Sequence, residues 1–171
     1  VTREPGGTPV GVAVRAIVLD PATGALAPRA EALLYAADRA HHVATVVRPA
    51  LAKGATVITD RYLDSSLAYQ GAGRTLDRDE VEWVSRWATE GLIPDLTVVL
   101  DVDPEVGLVR AGLPDRLEAE PLDFHRRVRQ GFLDLAARAP ERYVVLDADR
   151  PISAIAADVA GAADRVRKAV R

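Results

Sequence analysis

Three short apolar runs constrain this chain more than anything else in it: Ala55-Thr56-Val57-Ile58-Thr59, Leu96-Thr97-Val98-Val99-Leu100 and Tyr143-Val144-Val145-Leu146. They are rich in β-branched residues, and the last two do not alternate apolar with polar, the mark of strands covered on both faces. Each run is followed directly by an aspartate, Asp60, Asp101 or Asp147. Helical stretches separate them, so the fold class is α/β, with a parallel sheet and right-handed crossovers that place helices on both faces. Ligands of such sheets gather at the carboxyl ends of the strands, where the three aspartates lie.

The helices announce themselves by their ends. Thr8 caps a helix whose first residue is Pro9 and which runs to about Leu19. A longer helical region spans about Pro28 to Lys53 and stops at Gly54, with Pro49 expected to kink or interrupt its last turns. Asp77 and Glu80 form a capping box for a helix ending near Gly91. Gly71-Ala72-Gly73-Arg74 reads as a flexible connection. Three clear strands, four if Val1-Thr2 ends one, are few for a sheet carrying about six helices, and this implies that something central is absent.

A length of 171 residues fits one domain. There is no cysteine, which excludes disulfides and thiolate zinc sites and makes a reducing, cytoplasmic setting the default. No apolar stretch is long enough to span a bilayer, and the first residues are not a basic-then-apolar leader. The net charge of −3 argues against a protein that coats a nucleic-acid backbone, so any anion is caught locally. The chain contains no methionine, and its normally translated form is expected to begin upstream of Val1.

Local anion capture points to four arginines at loops or strand ends: Arg3, Arg61, Arg74 and Arg116. A guanidinium fork matches phosphate oxygens and stays charged. Arg61 stands out because it follows a buried strand directly. Asp60 beside it is placed either to pair with it or to hold Mg²⁺ through water, since that ion favours one or two carboxylates plus substrate phosphate.

Four longer stretches then carry a resemblance: TREPGGT, LLYAADRAHH, DRYLDSSLAYQGAGR and PDRLEAEPLDFHRRVRQGF, in that order. Together they closely resemble bacterial thymidylate kinases, P-loop nucleoside monophosphate kinases that transfer the γ-phosphoryl of ATP to dTMP. The resemblance covers essentially all of residues 1–171 as a single domain with the three-layer, P-loop NTPase-like sheet. It implies that Arg3 and Arg61 hold the dTMP phosphate, with Asp60 near the magnesium. It also implies that Tyr35 stacks on thymine where the family usually has phenylalanine, and that Arg39, one turn later on the same face, hydrogen-bonds the base. Ser66, Tyr69 and Gln70 match positions lining the base and sugar pocket, where Tyr69 crowds the 2′ carbon. Arg74 follows the family's Gly-x-Gly-Arg pattern and is a further candidate for the acceptor nucleotide.

Residues of about 110–120 resemble the lid that closes over ATP, making Arg116 and Arg110 candidates for stabilising the phosphoryl group in transit. This lid is a few residues shorter than the family's usual one. The loop Asp147-Ala148-Asp149-Arg150 matches the place where the family packs against adenine. Family members usually form homodimers, which the resemblance implies here.

The family also has a first strand and a Gly-x-x-x-x-Gly-Lys-Ser/Thr loop upstream of TREPGGT, and that motif occurs nowhere in these residues. In the family's sheet that strand lies between those of Val57 and Val98. The expectation is therefore an N-terminally truncated domain, inactive alone, whose sheet is split into two halves. Two other readings stand beside the dTMP kinase: a non-catalytic nucleotide-binding or interaction domain that keeps only the acceptor pocket, and a kinase for another nucleotide.

Overall fold

The computed structural model describes residues 1–169. Strands β1 (Thr2–Arg3), β2 (Thr59–Asp60), β3 (Thr97–Asp101) and β4 (Tyr143–Asp147) alternate with helices, as the apolar runs require. The strands pair in parallel, β1 with β2 and β3 with β4, and among the described residues no ladder joins the two pairs. In register, Arg3 lies opposite Asp60 and Asp101 opposite Asp147, which brings the charged residues to the same end of each pair.

Thr8 caps α1 (Pro9–Leu19) by accepting from Gly11 N at 2.9 Å, and Asp77 caps α5 (Arg78–Ala88) by accepting from Glu80 N at 3.0 Å. The long second helical region is α2 (Pro28–His42), a π-helical stretch (Val43–Val47) and α3 (Arg48–Ala52). The irregularity expected at Pro49 falls just before it: the wider π turn changes the hydrogen-bond register ahead of a proline that has no N–H to give.

Two local expectations are corrected. The run from Ala55 reaches strand geometry only at Thr59–Asp60, because its partner β1 is two residues long; the ladder closes with Thr2 N–H donating to Ile58 O at 2.8 Å and Glu4 N–H to Asp60 O at 2.9 Å. The presumed flexible connection at Gly71–Arg74 is helical instead: after α4 (Leu63–Ser66) a π-helical stretch runs from Leu67 to Gly73. Gly73 belongs there for packing reasons, since a Cβ on it would come within 2.7 Å of the Phe124 ring.

The remaining helices are α6 (Pro104–Ala111), α7 (Leu122–Arg138) and α8 (Ile152–Ala169). α7 packs on the π-helical stretch and on β3 and β4, and α8 on β4. The main core gathers Leu63, Leu67, Val81, Val99, Leu135 and Tyr143 between the strands and these helices. Asp64 ties α4 to the β3–β4 pair, accepting from the Tyr143 hydroxyl, from Arg142 Nη2 at 2.8 Å and from Thr97 Oγ1 at 3.3 Å. Ile58, just before β2, and Leu100 of β3 remain bare, 60% and 54% exposed.

Candidate active site

The site is built on the segment Thr2–Thr8 and the two helical walls beside it. Glu4 is buried, and its carboxylate accepts from Arg39 Nε at 2.9 Å while lying 2.8 Å from His42 Nδ1. A carboxylate paired with arginine accepts, so His42 donates from Nδ1 to Glu4, and its Nε2 shares a hydrogen bond with the Thr2 hydroxyl 2.7 Å away. Asp38 Oδ1 accepts from Gly6 N–H at 3.3 Å. Burial raises the Asp38 carboxyl above its usual range, and its Oδ2 has no partner among the described residues. The turn can come this close to α2 only because side chains are missing: a Cβ at Gly7 would meet His42 at 2.8 Å, and one at Gly11 would meet Asp38 Oδ1 at 2.2 Å. The Glu4–Pro5 peptide is cis.

Anchored in this way, the turn presents Arg3 as an exposed side chain at the end of β1, across from Asp60. Arg61 follows at the end of β2, with its backbone in the left-handed region at φ 64° and its carbonyl accepting from Thr59 Oγ1 at 2.9 Å. For a residue with a long side chain that conformation costs on the order of 1–3 kcal/mol. Its guanidinium lies 5.2 Å from the centre of the Tyr69 ring. Tyr69 is itself held edge-on by Phe124 and Phe132 at 6.1 and 6.2 Å.

A second wall forms where α2 faces α4 and the π-helical stretch. Glu31, Tyr35 and Arg39 recur every four residues along α2. At one end Arg39 Nη2 donates to Tyr62 O at 3.2 Å and Ser66 Oγ at 3.1 Å, while Nη1 is buried without a partner among the described residues. At the other end Glu31 collects Gln70 and Arg74. Tyr35 lies between them, its phenol pushed up by burial and by the Glu31 charge. An orphaned donor one helical turn from an aromatic side chain suits a planar ligand with an acceptor atom on its edge.

Arg74 and Arg116, both expected to approach phosphates, are committed to carboxylates in this structure. Arg74 donates to both Glu31 oxygens at 3.1 and 3.0 Å and to Glu120 at 2.5 Å. Arg116 pairs with Glu31, and its Nε donates to Val18 O at 2.7 Å. Arg110 is turned elsewhere, donating to Ala148 O at 2.9 Å and Asp149 at 2.6 Å, so it joins the loop Asp147–Arg150 rather than the α2 wall. In that loop Asp147 accepts from Asp149 N–H at 2.8 Å, and Arg150 pairs with Asp158 at 2.7 Å.

Glu4, Glu31, Asp38 and His42 were not singled out from sequence. For the three on α2 the signal is a stripe of polar and charged residues, Glu31, Tyr35, Asp38, Arg39 and His42, occupying the helix face that packing would normally reserve for apolar side chains, while Leu33 is 58% exposed. Burial pushes the Glu31 carboxyl up, but hydrogen bonds from Arg74, Gln70 and Arg116 outweigh it and hold the group below its usual 4.5. Arg129 likewise holds Asp101 below its usual 3.8. Carboxyls whose folded pKa lies below the unfolded value contribute stability that is complete above about pH 5 and is lost as pH falls through the folded values. Acid titration of the unfolding free energy is therefore expected to decline below pH 5, and replacing Glu31 by glutamine should flatten that decline.

Among the described residues no three His, Asp or Glu side chains are grouped to hold a metal. Asp60 stands as a single carboxylate at the end of β2, which fits Mg²⁺ when substrate phosphates supply the other ligands. No described helix is long and apolar enough to cross a membrane.

Parallel strands whose carboxyl ends carry arginines, with helical walls above them, define an α/β nucleotide-binding class of the P-loop NTPase-like type. The thymidylate kinase family model matches residues 1–159, and the chain belongs to the thymidylate kinase family. It is 61% identical over 163 residues to a thymidylate kinase of Clavibacter michiganensis, covering 93% of this chain and 77% of that protein. With the Deinococcus radiodurans thymidylate kinase the identity is 57% over 162 residues, covering 93% and 78%. Among solved structures, a thymidylate kinase from Ehrlichia chaffeensis superposes with a TM-score of 0.68 at 32% identity, covering 85% of this chain and 71% of that one. Nothing in these similarities favours the non-catalytic alternative.

Proposed function

We propose that this domain binds dTMP as phosphoryl acceptor and that the full-length protein transfers the γ-phosphoryl group of ATP to it, giving dTDP and ADP on the route to dTTP. The supporting observation is that one wall offers two ends of different chemistry. Arg3 and Arg61 stand at the ends of β1 and β2, and Arg39, whose buried Nη1 has no partner among the described residues, lies one helical turn after Tyr35 on α2. The first end suits a phosphate and the second a pyrimidine.

In this reading the arginines offset the repulsion between two anionic nucleotides, and catalysis is positioning and electrostatics with no covalent intermediate. Ser66, Tyr69, Gln70 and Arg74 complete the acceptor pocket. Arg110 and the loop Asp147–Arg150 serve the adenine side, and residues 110–120, with Arg116, act as the lid that excludes water. Asp60 is the residue that would hold Mg²⁺, which, bound with ATP, would neutralise phosphate charge.

The bare edges beside Ile58 and Leu100 suit one further strand between β2 and β3, the place where relatives of this family carry the P-loop strand, and the chain spans 77% of the length of the Clavibacter relative. We read the whole as a cytoplasmic homodimer that needs neither membrane nor nucleic acid. One helical layer supports the dimer: α1, α2 and α5 expose Val12, Ile17, Leu33 and the stacked pair Trp83 and Trp87.

The test is ADP release by the full-length protein with ATP and either dTMP, dUMP or dCMP. A preference for dTMP is expected, and its absence would refute the substrate assignment.

A further inference from the structure

Glu31 is fully buried, touches no open surface, and yet receives four hydrogen bonds from three side chains. Its Oε1 accepts from Gln70 Nε2 at 3.0 Å and Arg74 Nε at 3.1 Å, and its Oε2 accepts from Arg74 Nη2 at 3.0 Å and from Arg116. The two arginines keep it ionised, so it accepts only. A buried glutamine amide has an oxygen and a nitrogen of nearly equal size, and which one faces a ligand is decided by its partners. Facing a carboxylate, Gln70 has no choice: its nitrogen is spent on Glu31, and its oxygen takes no hydrogen bond from any described residue.

We propose that Glu31 is a positioning residue that sets the base selectivity of the acceptor pocket, by turning the Gln70 amide so that the pocket offers an oxygen rather than a nitrogen. The inference rests on the reading above that the acceptor is a pyrimidine nucleotide. Along α2, Glu31, which holds Gln70, and Arg39, whose Nη1 has no partner among the described residues, lie one turn to either side of Tyr35, so the wall has one acceptor and one donor to offer. Thymine and uracil answer with a ring N–H next to a carbonyl. Cytosine answers with a bare ring nitrogen next to an amino group and is mismatched at both positions, and a site whose buried polar groups are left unpaired rejects a ligand strongly.

The substitution Glu31→Gln makes a specific demand. The new amide nitrogen does least harm at the Oε1 position, where it loses one bond from Arg74; at Oε2 it would confront both arginines. At Oε1 it donates, and Gln70 must then flip and turn its nitrogen to the ligand. The expected result, with the full-length enzyme, is that the ratio of kcat/KM for dTMP over dCMP falls by about tenfold or more, with the value for dCMP rising in absolute terms. General loosening of the pocket would lower both values together. In a Gln70→Met background, which has neither amide atom, adding Glu31→Gln should leave the ratio unchanged. If Glu31→Gln does not fold by circular dichroism, Glu31→Asp keeps the charge but is too short for all its donors, and a partial fall in the ratio is expected.

An unchanged ratio in the folded Glu31 variant, or a further change on the Gln70→Met background, would overturn the inference. A wild-type enzyme with no preference for dTMP over dCMP would instead overturn the acceptor assignment itself.

Discussion

Replacing Arg61 with alanine is expected to lower kcat/KM for dTMP phosphorylation by about 10²–10³ while the fold survives. The side chain stands at the end of β2, beside Asp60 and over the Tyr69 ring, where an acceptor phosphate needs a fixed positive charge. Nothing in the core depends on it: no salt bridge to it is present among the described residues, and its backbone is held at φ 64° against its own preference. The thermal midpoint should therefore move little, and Arg61→Gly, which relieves the left-handed backbone, should raise stability by about 1 kcal/mol while being equally inactive. Steady-state kinetics with calorimetry of the same preparations checks both halves. Near-normal turnover in Arg61→Ala would remove Arg61 from the site.

Glu4→Ala is expected to have the opposite profile, a large loss of stability of about 3–5 kcal/mol in urea unfolding. The Glu4 carboxylate bridges Arg39 and His42 in a region where all three side chains are at most 3% exposed. Removing it leaves a guanidinium buried with only Tyr62 O and Ser66 for company and frees His42 from the orientation that holds Thr2. Glu4→Gln keeps an acceptor for Arg39 and should lose less. Because the same network anchors the turn that carries Arg3, residual folded Glu4→Gln should also show a raised KM for dTMP. A Glu4→Ala protein as stable as the wild type would mean that the Glu4–Arg39–His42 cluster does not hold the turn.

The parts of this molecule that were legible in the sequence are those determined by neighbours a few residues away. Thr8 and Asp77 mark helix starts because a cap acts within one turn, and the runs at Val98 and Val144 read as strands because both faces are apolar. The opening turn and Asp60-Arg61-Tyr62 stand out through unusual residue combinations, and they point to the same strand ends that the fold brings together.

What was not legible depends on contacts between distant segments. The run from Ala55 has full strand character but only a two-residue partner, so its ladder is short. Gly71 and Gly73 look like loop residues but lie in the π-helical stretch, where Gly73 is pressed by Phe124 and Val128 of α7. Glu31 and Arg116 are separated by 85 residues, and no periodicity shows that they meet. Glu31 looks like an ordinary charge on an exposed face until the fold buries it, and Arg116, a phosphate candidate by its place in the chain, is found paired with it.

The central claim is that one wall reads a phosphate at Arg3 and Arg61 and a pyrimidine at Tyr35 and Arg39. A crystal structure of the full-length protein with dTMP tests it most directly. The account predicts the phosphate within hydrogen-bond reach of both arginines, the thymine ring against Tyr35, and a base carbonyl accepting from Arg39 Nη1. A dTMP molecule bound elsewhere, or one bound here with Arg39 Nη1 still unpartnered, would contradict it.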